Sequence, residues 1–130
     1  MYSLKRKQRI NEQLALVNEQ GKQVKVLTVD LDVDTVLGRY NQAKNTIIRA
    51  EQIIKDNQSE KNLEEYGQAV CELLEVIFGE SNTKEILDFY DNRYVEMLDE
   101  VYPYILEVIE PKLRQISREK AKQMQARIRK

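Results

Sequence analysis

At 130 residues, 42% of them apolar, the chain has the length of one domain and enough hydrophobic side chains to close a modest core. A charged fraction of 33% at a net charge of −1 favours a soluble protein with a strongly solvated surface. The sequence has no His, which removes the commonest general base and the commonest zinc ligand, and the single Cys71 excludes an intrachain disulfide, so no enzymatic activity, cofactor or metal is expected.

Residues 10 to 31, INEQLALVNEQGKQVKVLTVDL, hold two β-leaning runs around NEQGK, where Gly21 can adopt the left-handed conformation that closes a hairpin. The second run shifts phase from Val24 and Val26 to Leu27, Val29 and Leu31, as a bulge or edge twist would produce. A helix over residues 3 to 19 is the fallback, since Lys, Arg, Glu and Gln also favour helices.

The run VDLDVD, Val29 to Asp34, places Asp at alternate positions. Asp30, Asp32 and Asp34 match positions 1, 3 and 5 of an EF-hand, but position 6 is Thr35 instead of Gly and position 12 is Asn41 instead of a bidentate Glu. A calcium loop therefore fails on turn geometry and on charge. In an alternating strand the three carboxylates share one face and leave Val29, Leu31 and Val33 for the core, with Asp34 or Asp32 capping the helix that follows.

From Thr35, Val36, Leu37, Tyr40, Ala43, Ile47 and Ile54 recur with helical spacing to about Lys55. DNQS breaks that pattern. A second helix fits Glu60 to Phe78, capped by Ser59 and ended by Gly79, with Leu63, Tyr66, Val70, Leu73 and Ile77 on one face and Cys71 as a small core residue. Asn82 and Glu85 have the spacing of a capping box, opening a short third helix before the turn DNR.

From Tyr94 a long helix is predicted, with bends or breaks at Pro103 and Pro111, where each ring crowds the carbonyl four residues earlier. Its apolar stripe runs through Leu98, Tyr102, Ile105, Ile109, Leu113 and Ile116; beyond that only Met124 and Ile128 recur, so the end is expected to fray or project. Residues 112 to 130 carry eight Lys or Arg against the single Glu119, a charge of +7 that leaves −8 for the first 111 residues.

The reading is a mainly α protein: a small helical bundle with a short N-terminal β-hairpin and a long, proline-interrupted C-terminal helix. It divides into an extended element over 1–33, a helical core over 34–116 and a basic end over 117–130, all in one domain. Carboxylate pairs such as Glu64 with Glu65 and Asp99 with Glu100 are adjacent on helices, point apart and read as solvated faces. No phosphate loop, dinucleotide fingerprint or serine elbow is present. No run of eighteen apolar residues occurs, and MYSLKRKQRINEQ lacks the apolar core of a signal peptide, which points to a cytoplasmic protein without a membrane partner.

Two surfaces remain as candidates. The first is an apolar groove of Tyr102, Tyr104, Ile105, Val108 and Ile109 around the prolines, suited to a partner's amphipathic helix. The second is the basic run Lys112, Arg114, Arg118, Lys120 and Lys122, which can steer an acidic partner or contact phosphates; without interleaved aromatics, nucleic acid is the alternative reading.

The order of segments carries a resemblance. An extended unit ending in VDLDVDTVLGRYNQA, a helix, then VCELLEVIFGESNTKEIL and FYDNRYVEMLDEVYPYILEVIEPKLRQISREKAKQ, spanning Val24 to Gln123, resembles the small tail assembly chaperones of tailed bacteriophages and prophages. FGESN departs from the FGEG-like turn of many relatives. The resemblance implies a non-catalytic protein of the host bacterial cytoplasm, left out of the mature virion. It would shield the apolar helices of the tape-measure protein until tail-tube polymerisation, with the major tail tube protein as a further candidate partner and self-association left open.

Overall fold

The computed structural model describes residues 1–4 and 9–128. Strands β1 (Ile10–Val17) and β2 (Gln23–Leu31) form the expected antiparallel hairpin, and the helical alternative for this segment is excluded over β1. Asn18 builds the turn: its Oδ1 accepts from the backbone N–H groups of Gln20 and Lys22, and Gly21 takes φ +79°. Ile10, Leu16, Leu27, Val29 and Leu31 point into the core.

The phase shift expected after Val26 is absent. Val24 and Val26 lie exposed on the outer face, and strict alternation then carries Leu27, Val29 and Leu31 inward. The irregularity sits nearer the turn, where pairing jumps from Leu16↔Lys25 to Val17↔Gln23 and leaves Val24 without an opposite residue.

Helix α1 (Val33–Asp56) starts at Asp32, whose carboxylate accepts from the Asp34 N–H at 3.2 Å. Helix α2 (Glu60–Phe89) is capped by Ser59, whose Oγ accepts from the Asn62 N–H. The two pack along each other through Tyr40, Ala43 and Ile47 on one side and Val70, Leu73 and Ile77 on the other.

Gly79 does break the helical conformation, at φ 78° and ψ 167°, and the chain re-enters helix at once, so α2 is two helical segments joined across a kink, the second being the short helix expected there but starting before Asn82. The capping box expected at Asn82 and Glu85 is accordingly wrong. Asn82 lies inside the helix and donates its side-chain amide to the Thr28 carbonyl at 3.0 Å, and Glu85 pairs with Lys25 at 2.7 Å. Both clamp β2 onto the post-kink half of α2.

A tight turn follows in which Asp91 and Asn92 take positive φ (52° and 59°) and the Asn92 N–H reaches the Leu87 carbonyl, closing the end of α2. Helix α3 (Tyr94–Tyr104), a π turn over Ile105–Ile109 and helix α4 (Glu110–Ile128) then form the expected long helix as one continuous rod, in which the interruption between the two prolines is a π turn and not a break. The π turn supplies the reason. Met97, Val101, Ile105, Ile109 and Leu113 repeat every four residues and are all buried, whereas an α-helix would rotate such a set by about 40° per step. One wide turn cancels that drift. It also moves the Glu110 N–H to the Ile105 carbonyl, so the ring of Pro111 follows a stretch already paired at i→i+5 spacing.

The core is continuous, from the inner face of the hairpin through α1 and α2 to the inward stripe of the rod. Among the described residues no helix is long and apolar enough to cross a membrane.

Candidate functional site

Each carboxylate of VDLDVD has a structural task. Asp30 accepts from Arg9 Nε at 2.8 Å, Asp32 caps α1, and Asp34 pairs with Lys120 at 2.6 Å. Among the described residues no group of three or more carboxylate or thiol side chains could hold a metal ion. Cys71 lies on α2 beside Tyr94, whose ring packs close to Gly67, and burial pushes its thiol up despite a hydrogen bond with Tyr94. A thiol in that state is a poor nucleophile at neutral pH.

The expected apolar groove is largely interior. Ile105 and Ile109 are 0% exposed, packed into the core by the π turn, so neither can touch a partner without opening the fold. Tyr104 turns toward the hairpin and Phe78, with ring centroids 6.3 Å apart and planes 19° apart, and its hydroxyl is buried without a hydrogen-bond partner among the described residues. Tyr102 and Val108 are half-buried against the core. What the rod does present outward is a different set: Val95, 64% exposed, and Leu106, 38% exposed, flank Tyr102 at spacings of seven and four, which places the three on one helical face.

The basic run divides in the same way. Lys112 pairs with Glu12 on β1 and Lys120 with Asp34 at the start of α1, so two of the five stitch α4 to the body, while Arg114 pairs within α4 with Glu110 at 2.7 Å. Arg118 and Lys122 are exposed. Past Lys120 the helix continues to Ile128 as an overhang, with Met124 and Ile128 exposed, and it is helical throughout the described residues.

Glu110 anchors this arrangement and was not singled out by sequence. Its side chain, 12% exposed, accepts from the Tyr40 hydroxyl at 2.8 Å, from Lys44 Nζ at 3.0 Å and from Arg114 at 2.7 Å. Burial pushes the carboxyl up, but the hydrogen bonds from Arg114, Lys44 and Tyr40 outweigh it and hold the group below the usual carboxylate range. Burial and the bond to Glu110 push the Tyr40 hydroxyl far above its ordinary value.

A second surface, also missed, lies between the hairpin turn and the α2–α3 turn. It is a two-lobed cleft, about 230 Å³ over the floor of Leu14, Leu16, Val101 and Tyr104 and about 470 Å³ at the mouth, the lobes sharing Val17, Phe89, Tyr90 and Glu100. The Tyr90 hydroxyl donates to Glu100 at 2.7 Å across the shared edge. Only the outward alternation of Val17 in its strand hints at this cleft in sequence; the rest depends on bringing residues far apart in the chain together.

Comparison with protein-family models, with curated proteins and with solved structures finds no match to this chain.

Proposed function

We propose that this chain is a non-catalytic binding protein of the tail assembly chaperone type, which covers apolar helices of a long client such as a tape-measure protein until the tail tube closes around it. The observation that carries the reading is the outward stripe Val95, Tyr102 and Leu106 on a rigid rod whose inner face is already filled. The segment order from Val24 to Gln123 adds to it. An amphipathic client helix lying along the stripe would bury these side chains. Full burial of each aliphatic one contributes roughly 1.5–3 kcal/mol, and rigid-body and ordering costs remove much of the total. Binding would thus be reversible, as a chaperone displaced by polymerising tube subunits requires, and many copies along one client would gain from avidity. Half-buried Tyr102 and Val108 remain contact residues in this reading, while Ile105 and Ile109 become the support beneath them.

Co-expression with a tape-measure fragment followed by pull-down tests the assignment. Wild type is expected to recover the fragment and a Val95→Asp, Leu106→Asp variant to lose it; equal recovery would remove the stripe from the account. The alternative, a nucleic-acid regulator using the basic end, draws on the exposed Arg118 and on Lys122 and Arg127 of the overhang. It predicts a saturable complex with DNA or RNA that weakens steeply with salt, whereas the chaperone reading predicts none.

A further inference from the structure

The overhang and the cleft are chemically complementary and stand at opposite ends of the rod. The cleft has an apolar floor, and around its mouth stand Glu19, Asp91, Glu96 and Glu100. Among the described residues Arg93 is the one basic side chain lining it, and it is already drawn to Glu96 at 3.6 Å. The overhang offers the inverse: Met124 and Ile128 exposed one turn apart on a helix that also carries Lys122 and Arg127. The sequence concentrates +7 over residues 112 to 130, of which the overhang is the end, against −8 in the first 111.

The two cannot meet within one molecule. Lys112 lies beside Glu12 near the start of β1, whereas Glu100 and Tyr104 line the cleft with Val17 at its end, so the rod runs antiparallel to β1 with the cleft at one pole and the overhang at the other. From Glu100 to Met124 the helix axis covers about 35 Å at ~1.5 Å per residue, and the overhang points away. The occupant has to come from another molecule.

We propose that the acidic cleft of one copy receives the basic helix end of a second copy, with Ile128 and Met124 seated over Val17, Phe89 and Tyr90 and Arg127 and Lys122 facing the carboxylates at the mouth. Each molecule then has one donor pole and one acceptor pole. Such a heterologous contact does not close on itself in a pair, and it leads to an open chain of copies, or to a ring where the rotation allows. The contact is rich in exposed charge, so its strength falls with ionic strength as the screening length shortens. This inference does not rest on the client assignment above: it concerns poles that the outward stripe does not include.

Two variants test it by analytical ultracentrifugation. Glu96→Lys, Glu100→Lys closes the cleft to a basic ligand; Lys122→Ala, Arg127→Ala, Ile128→Ser disarms the overhang, and because those three side chains are exposed, the fold is kept. Wild type is expected to grow in weight-average mass with concentration, at least about tenfold more weakly at 500 mM than at 50 mM salt. Each variant alone should associate at least about tenfold more weakly than wild type, and an equimolar mixture should give a complex that stops at one copy of each, because only one intact donor and one intact acceptor remain. Wild type that stays monomeric at low salt and millimolar concentration, an overhang variant that associates like wild type, or a mixture that forms no complex while both variants keep native helicity, overturns the proposal. Should the cleft variant lose helicity, Glu19→Lys, Asp91→Lys replaces it with the same expectations.

Discussion

Replacing Glu110 by Gln keeps the shape of the side chain at the α1–α4 contact and removes its charge. The amide oxygen can still accept from Tyr40, so that bond survives. What is lost is the charge-assisted part of the contacts to Lys44 and Arg114. Lys44 is 24% exposed and its partner 12%, so this pair sits largely out of water; Arg114 is 50% exposed and its share is reduced by solvent screening. A hydrogen bond to a charged group is worth about 1.5–3 kcal/mol, which sets the expected loss near 2 kcal/mol for Glu110→Gln, and near 3 kcal/mol for Glu110→Ala, which also orphans the Tyr40 hydroxyl. Urea unfolding followed by circular dichroism reads this as a midpoint lowered by roughly 1 M at unchanged slope. The folded-state pKa of Glu110 is depressed, so its contribution is fully present above the unfolded value of a glutamate and is lost as pH falls through the lower folded value. The Gln variant should therefore lose less stability than wild type on acidification. A midpoint within about 0.3 M of wild type, or parallel pH profiles, would refute the assignment of Glu110 as the anchor of the rod.

Further outcomes follow from single positions. Tyr104→Phe removes a buried hydroxyl that has no partner among the described residues, so thermal unfolding should show no loss and a gain of up to ~1 kcal/mol; a clear destabilisation would mean that the hydroxyl is satisfied. Gly79→Ala forces a side chain into φ 78°, ψ 167°, a region that is essentially glycine-only, and should cost about 1–3 kcal/mol although no atom lies within 4 Å of the added methyl. Ile109→Asp places a carboxylate in the core and should abolish cooperative unfolding; a folded variant defective only in client binding would restore the groove of the sequence reading.

Much of the fold was legible because its signals are local. Ser59 and Asp32 sit within one turn of the N–H groups they satisfy, those of Asn62 and Asp34, and Gly21 needs only its own backbone freedom to close the hairpin. Asn82 shows the limit: its cap-like spacing to Glu85 is local, but the groups that claim the two, Thr28 and Lys25, lie over fifty residues away in sequence. The rod shows a second limit. Its apolar residues cover more than half of the helix circumference, so periodicity alone cannot say which face is inside, and the four-residue repeat from Met97 to Leu113 is compatible with the core only once a π turn is inserted. Periodicity therefore sets Ile105 and Ile109 at a surface that the structure buries, and gives no signal for Val95. The acidic cleft needs the hairpin turn, the α2–α3 turn and α3 side by side, a juxtaposition that no spacing within one segment encodes.

The claim on which the account turns is that this chain shields apolar helices through the outward stripe of its rod. Light scattering of an apolar, helical tape-measure fragment diluted into buffer, alone and with increasing amounts of this chain, measures it directly. Stoichiometric wild type should suppress the scattering while the Val95→Asp, Leu106→Asp variant leaves it unchanged; scattering that persists with a molar excess of folded wild type would contradict the claim.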